Sequence, residues 1–200
     1  MKHFALVSIT SYISYLFVYA TWSFIGFQVL GNSTYASYLY LPAGSRVLLF
    51  CFFRWRSIPA LIAAESTGYA LITMSLLDTV VEPTIWWWQL SMLSSIFSVV
   101  VAVTLVKWAL DDITSAPGLF KRVSFANYKF LILVIFITAL LNAVLTNSVI
   151  AYFNPFIVVD TQRVLRYFIG DILGCFALIG VLIAIFKTLK DSMFITPVKK

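Results

Sequence analysis

The feature that most constrains this 200-residue chain is the return of apolar runs, one after another, at the length of a membrane crossing. A span needs about 20 mainly apolar residues, because each helical residue advances about 1.5 Å and the hydrocarbon layer is about 30 Å thick. Six segments meet or approach that length: 4–30, 41–56, 59–77, 86–110, 130–153 and 165–188. In lipid each backbone N–H and C=O needs a partner within its own segment, so runs of this length are helices. The predicted fold class is all-α: a polytopic membrane protein, a bundle of about six transmembrane helices in a single integral membrane domain over 1–200. Charged residues make up only 11% of the chain, against about a quarter in soluble domains.

The first run follows Lys2 and His3 and continues to Leu30, too long for a signal-peptide core and without a clear cleavage site, so it reads as an uncleaved first span. The second is the shortest. It opens with "YLPAGSR", where Pro42 and Gly44 disfavour regular helix, and the polar-aromatic "GNSTYASYLY" before it could re-enter the membrane only if packed against protein.

Charge orients the bundle, because short cytoplasmic loops carry the excess of Lys and Arg. With both termini in the cytoplasm, eleven of the fourteen Lys and Arg lie at cytoplasmic ends, leaving Arg46, Arg163 and Arg166 outside. The formal charge of +6 is then accounted for by topology and anionic lipid, and nucleic acid is not an expected partner. "IWWWQ" at 85–89, with Tyr35, Tyr38 and Tyr40, reads as interfacial belt. The longest cytoplasmic loop, 111–129, is a docking surface or simply a solvated loop. Cys51 and Cys175 lack any CxxC spacing and are expected as buried free thiols, with no metal site or cofactor.

Two carboxylates fall within spans. Glu65 lies about 10 Å from the cytoplasmic start of its helix, and Asp171 a similar distance from the outer face. Buried ionisable groups face the bundle interior and pair. Arg166 and Asp171 are five residues apart, on different faces of one helix, so the expected partner of Asp171 is Arg46, across the bundle. Asn142, Thr146, Asn147 and Gln28, with Arg163 and Arg166, would complete an outward-facing polar cluster suited to a small anionic or zwitterionic ligand. The alternative is structural: buried polar side chains knit helices together, assisted by a small-residue stripe of Gly170, Gly174, Ala177 and Gly180.

"YLPAGSRVLLFCFFRWRSIPALIAAESTGY" (40–69) and "RYFIGDILGCFALIG" (166–180) resemble the bacterial MASE1 membrane sensor domain. The likeness rests on Pro-x-Gly at a helix opening, a basic aromatic turn before a Pro-led helix, and a closing Gly-Asp-x-x-Gly helix. It covers about a third of the chain and carries over Pro42, Gly44, Gly170, Asp171 and Gly174 as motif positions. Arg46 and Glu65 rest on the physical reading alone. The resemblance implies a sensory input module in the bacterial inner (cytoplasmic) membrane. That family has about eight spans and is joined to cyclase, phosphodiesterase or kinase domains. Here six spans and no output domain are expected, so the signal would leave through another integral membrane protein, a signalling or transport subunit, or through a homodimer.

The expected function is therefore a non-enzymatic sensory or accessory subunit. The competing reading is the substrate-binding membrane subunit of an energy-coupling-factor type transporter, which has this size and also needs a partner. Intramembrane proteolysis fits poorly. Phe168 stands where the aspartyl-protease Gly-x-Gly-Asp signature needs Gly, and Glu65 is reckoned at the wrong depth to share a proton with Asp171. His3, the only histidine, is terminal, so no intramembrane base serves a nucleophile.

Overall fold

The computed structural model describes residues 2–29, 38–76, 85–114, 128–154 and 157–194, with side chains over 4–25, 38–68, 89–109, 129–154 and 157–189. It is all-helical: α1 (Lys2–Val29), α2 (Leu41–Phe53), a 3-10 turn at Arg54–Arg56, α3 (Ile58–Leu76), α4 (Ile85–Thr114), α5 (Tyr128–Phe153) and α6 (Thr161–Phe194). Among the described residues, four helices are long and apolar enough to cross a membrane, at Phe4–Ile25, Gln89–Ala109, Lys129–Phe153 and Thr161–Leu189.

The expected second span, 41–56, is corrected by α2. Its 13 residues extend only about 20 Å, short of a 30 Å hydrocarbon layer. Pro42 and Gly44 do not break the helix; they open it. Pro42 sits in the first turn, where it has no N–H to orphan and its φ already suits a helix. The amide of Tyr40 donates to the carbonyl of Gly170 at 3.0 Å and that of Ala43 to Tyr40 at 3.1 Å, which ties the start of α2 to α6.

Gly44 and Gly174 allow the contact between α2 and α6. A Cβ on Gly44 would lie 2.9 Å from the Cα of Cys175, and one on Gly174 would run into the carbonyl of Tyr40. Contacts that step from Tyr40 and Gly170 to Gly44 and Leu178 mean that the two helices run parallel. Gly180 does not belong to this packing stripe: nothing lies within 4 Å of the Cβ it would carry.

α2 is the central post of the bundle. Every residue from Pro42 to Cys51 is buried, the polar Ser45 and the charged Arg46 included. One side, through Val47, Phe50 and Cys51, joins a cluster with Val99, Val103, Val134, Ile135 and Cys175 of α4, α5 and α6. Leu49 joins the other cluster, with Tyr15, Tyr19, Leu61, Ala64 and Ile96 of α1, α3 and α4. The approach to α2 is held by Trp22, whose Nε1 donates to the carbonyl of Leu39 at 2.6 Å and whose ring meets Tyr40 edge-on at 4.9 Å. Tyr40 is thus a packing residue rather than part of an interfacial belt. At the other end of α2, Arg54 adopts φ 55°, a conformation rare for a side-chain-bearing residue, and Ser57 closes the turn through its N–H and Oγ on the Arg54 carbonyl.

Candidate functional site

The short α2 decides which charges meet. Arg46 lies seven residues before the end of α2, and Glu65 seven after the start of α3. Both are therefore about 10 Å from the turn that joins these helices. Arg46 and Glu65 pair at 3.3 Å (Nε to Oε1), with side chains only 3% and 6% exposed. The expected pair of Arg46 with Asp171 is corrected accordingly. Its premise was that Arg46 stands at the outer end of a full span, whereas α2 begins level with Gly170, about 13 Å along α6. Arg46 is inside the bundle and not on an outer rim.

Glu65 Oε1 also accepts from the Tyr15 hydroxyl at 3.0 Å, so α1, α2 and α3 meet at one carboxylate. The Arg46 guanidinium stacks over Tyr40, with Cζ 5.4 Å from the ring centroid. Its Nε is buried and lacks a well-aligned hydrogen bond, so the contact with Glu65 is ionic rather than a formed N–H···O bond.

Asp171 is drawn to α5. Asn142 donates from Nδ2 to Asp171 Oδ2 at 2.5 Å and accepts from Thr146 Oγ1 at 2.8 Å through its own Oδ1. Thr146 in turn lies 2.9 Å from Ser94 Oγ and 3.3 Å from Ser95 Oγ on α4. These serines carry no charge, and two adjacent hydroxyls in an apolar helix give no signal in the sequence. Arg46 remains within electrostatic reach of Asp171 as well as Glu65. Arg46 thus pairs with Glu65 and acts on Asp171 only from beyond ion-pair distance.

The remaining expected residues form a second arm near the start of α6. Asn147 donates to the Ala143 carbonyl at 2.7 Å and accepts from Arg163 Nε at 3.2 Å. Arg163 and Arg166, both partly buried, lie over aromatic rings: Arg163 over Tyr167 at 5.7 Å and Arg166 over Tyr38 at 5.4 Å. Asp160 caps α6 by accepting the Arg163 N–H at 2.7 Å. The side chain of Gln28, Tyr35, the tryptophans 86–88 and most of the 111–129 loop lie outside the described residues. Cys51 and Cys175 are both buried and free, and the described residues contain no group of three or more His, Cys, Asp or Glu side chains that could hold a metal.

No family model matches this sequence, and neither the curated proteins nor the solved structures contain a match. What the chain can do must be read from its own residues. Their arrangement is a three-charge centre, Glu65–Arg46–Asp171, flanked by tyrosine and asparagine donors and extended toward the α5–α6 connection by two arginines on aromatic faces.

Proposed function

We propose that this chain is a non-enzymatic sensory or accessory subunit of a bacterial inner membrane, a bundle of six segments in which the short α2 takes the place of a full second span, with both termini in the cytoplasm. In this reading it takes a small anionic or zwitterionic ligand at its outward-facing polar cluster and acts through a partner membrane protein, in the manner of a MASE1-like module. The observation that carries the reading is the second arm. Arg163 and Arg166 are partly buried, are held by Asn147 and by tyrosine rings, and form no ion pair with an acid among the described residues. A guanidinium held this way keeps N–H donors for a carboxylate or phosphate. The Lys and Arg excess on one set of loops supports the orientation.

The test is binding to purified protein in detergent micelles. Small carboxylates, amino acids and phosphates should raise the midpoint of thermal unfolding, and Arg163→Gln with Arg166→Gln should abolish that shift while leaving the unliganded midpoint in place. If no anionic or zwitterionic compound stabilises the protein and no defined membrane partner co-purifies stoichiometrically, the reading fails.

Transport is the second reading, favoured by one observation: α2 begins beside Gly170, well inside the length of α6. Helices that start inside the membrane are where transporters gather substrate groups. Solute uptake that requires a co-expressed ATPase module would select this reading over the sensory one.

A further inference from the structure

The three ionisable side chains buried at the bundle centre do not balance. Arg46 is 3% exposed, Glu65 5% and Asp171 3%, so one cation faces two carboxylates. With both carboxylates ionised the centre carries one uncompensated negative charge in a medium that strongly disfavours it. The imbalance is not shared evenly. Glu65 Oε1 meets the guanidinium at 3.3 Å and the Tyr15 hydroxyl at 3.0 Å. Asp171 has no cation within ion-pair distance, and its one hydrogen bond among the described residues is from the neutral Asn142 amide.

We infer that Asp171 binds and releases one proton, so that Glu65, Arg46 and Asp171 together form a proton-binding site inside the bundle. The step is a simple acid dissociation. The Asp171 carboxyl gives its proton to water, leaving a carboxylate that competes with Glu65 for Arg46. The groups that face Asp171 are Asn142 from α5, Arg46 and Tyr40 from the α2 side, Glu65 from α3, and Tyr167 and Cys175 from its own helix. Glu65 faces Tyr15 from α1, with Arg46 and Tyr40. No second cation stands among them. Arg163 is engaged with Asn147 and Tyr167, and Arg166 with Tyr38.

A proton fits this centre better than a metal cation. The atoms turned toward the two carboxylates are N–H and O–H donors, from Asn142, Arg46 and Tyr15, which would repel a metal ion, whereas a proton needs only one carboxylate oxygen. Because α2 lies between α3 and α6, the proton on Asp171 also decides which of those helices Arg46 ties more strongly. This inference does not depend on the sensory reading, since it involves neither Arg163 nor Arg166.

Infrared difference spectroscopy on the full chain in phospholipid vesicles tests it, comparing spectra as the pH is raised through neutrality. The expected result is the carbonyl band of one protonated carboxyl that disappears as pH rises and is absent from Asp171→Asn. In Glu65→Gln, Arg46 is released to Asp171, so the band should vanish at a lower pH than in the unaltered protein. Asp171→Glu should keep the band at a shifted frequency, which decides the matter if Asp171→Asn does not fold. The proposal is overturned if no carboxyl band titrates. It is also overturned if the band persists in Asp171→Asn and is lost in Glu65→Gln at every pH, or if added sodium at fixed pH removes it.

Discussion

α2 and the last third of α6 are built from similar apolar residues and end in opposite surroundings. Every residue from Pro42 to Cys51 is buried, whereas from Gly180 to Leu189 all but Leu182 are exposed. Lipid tails are as apolar as leucine, so hydropathy gives neither segment a reason to prefer protein over lipid. Two other properties separate them. α2 carries Gly44 against Gly174, which lets backbones approach, and Arg46 with its partner Glu65, which cannot be left in lipid. The end of α6 has Gly180 with no neighbour and no charge before Lys187, so nothing draws it inward. In a membrane protein, close backbone approach and polar pairing select the core.

The sharpest way to break this contrast is to remove the charge that holds α2. Arg46→Leu strands Glu65 inside the bundle and is expected to cost about 3–5 kcal/mol, read as a loss of helicity and tertiary stability in denaturing-detergent titrations. Arg46→Leu combined with Glu65→Leu should recover most of that loss, because Glu65 no longer needs a cation and Asp171 is left neutral by keeping its proton. If the double variant is no more stable than the single one, the ion pair is not what anchors α2.

A smaller and more local comparison sets two glycines of one helix side by side. Gly174→Ala drives a methyl into the Tyr40 carbonyl and should cost about 1–3 kcal/mol. Gly180→Ala meets open space and should stabilise the helix by about 0.5–1 kcal/mol through propensity alone. Equal effects at the two positions would remove close packing as the explanation.

The smallest effects should come from single hydrogen bonds and lipid-facing side chains. Asn142→Ala deprives Asp171 of its donor and Thr146 of its acceptor, an expected loss of about 1–2 kcal/mol. Phe186→Ala, on the exposed end of α6, should stay within about 0.5 kcal/mol in the same assay. A larger loss at Phe186 than at Asn142 would reverse the ranking of the two regions.

Much of the candidate site was legible in the sequence as a set of residues, and little of it as a set of pairs. Asp171 with Asn142, Arg46 with Glu65 and Arg163 with Asn147 each find a polar partner, because a polar group within an apolar run has to face other polar groups. The pairs are not legible because depth along a chain counts from the ends of full-length spans, whereas α2 is short and starts level with Gly170. The serines of α4 that touch Thr146 were not found at all. Small hydroxyls in a helix satisfy themselves on the preceding turn, as Ser95 also does on Ser91, so their presence says little about cross-helix contacts.

The sequence by itself determined that this is an all-helical protein with apolar segments of membrane-crossing length. Backbone hydrogen bonding in lipid leaves such runs no other regular structure, and that requirement acts on each segment alone. Only the tertiary structure decided that α2 is short and central, that Arg46 belongs first to Glu65, and that Asp171 is left with an amide. These are properties of relative depth and helix direction, set where the Tyr40 amide meets the Gly170 carbonyl and Gly44 meets α6. No segment contains that information on its own.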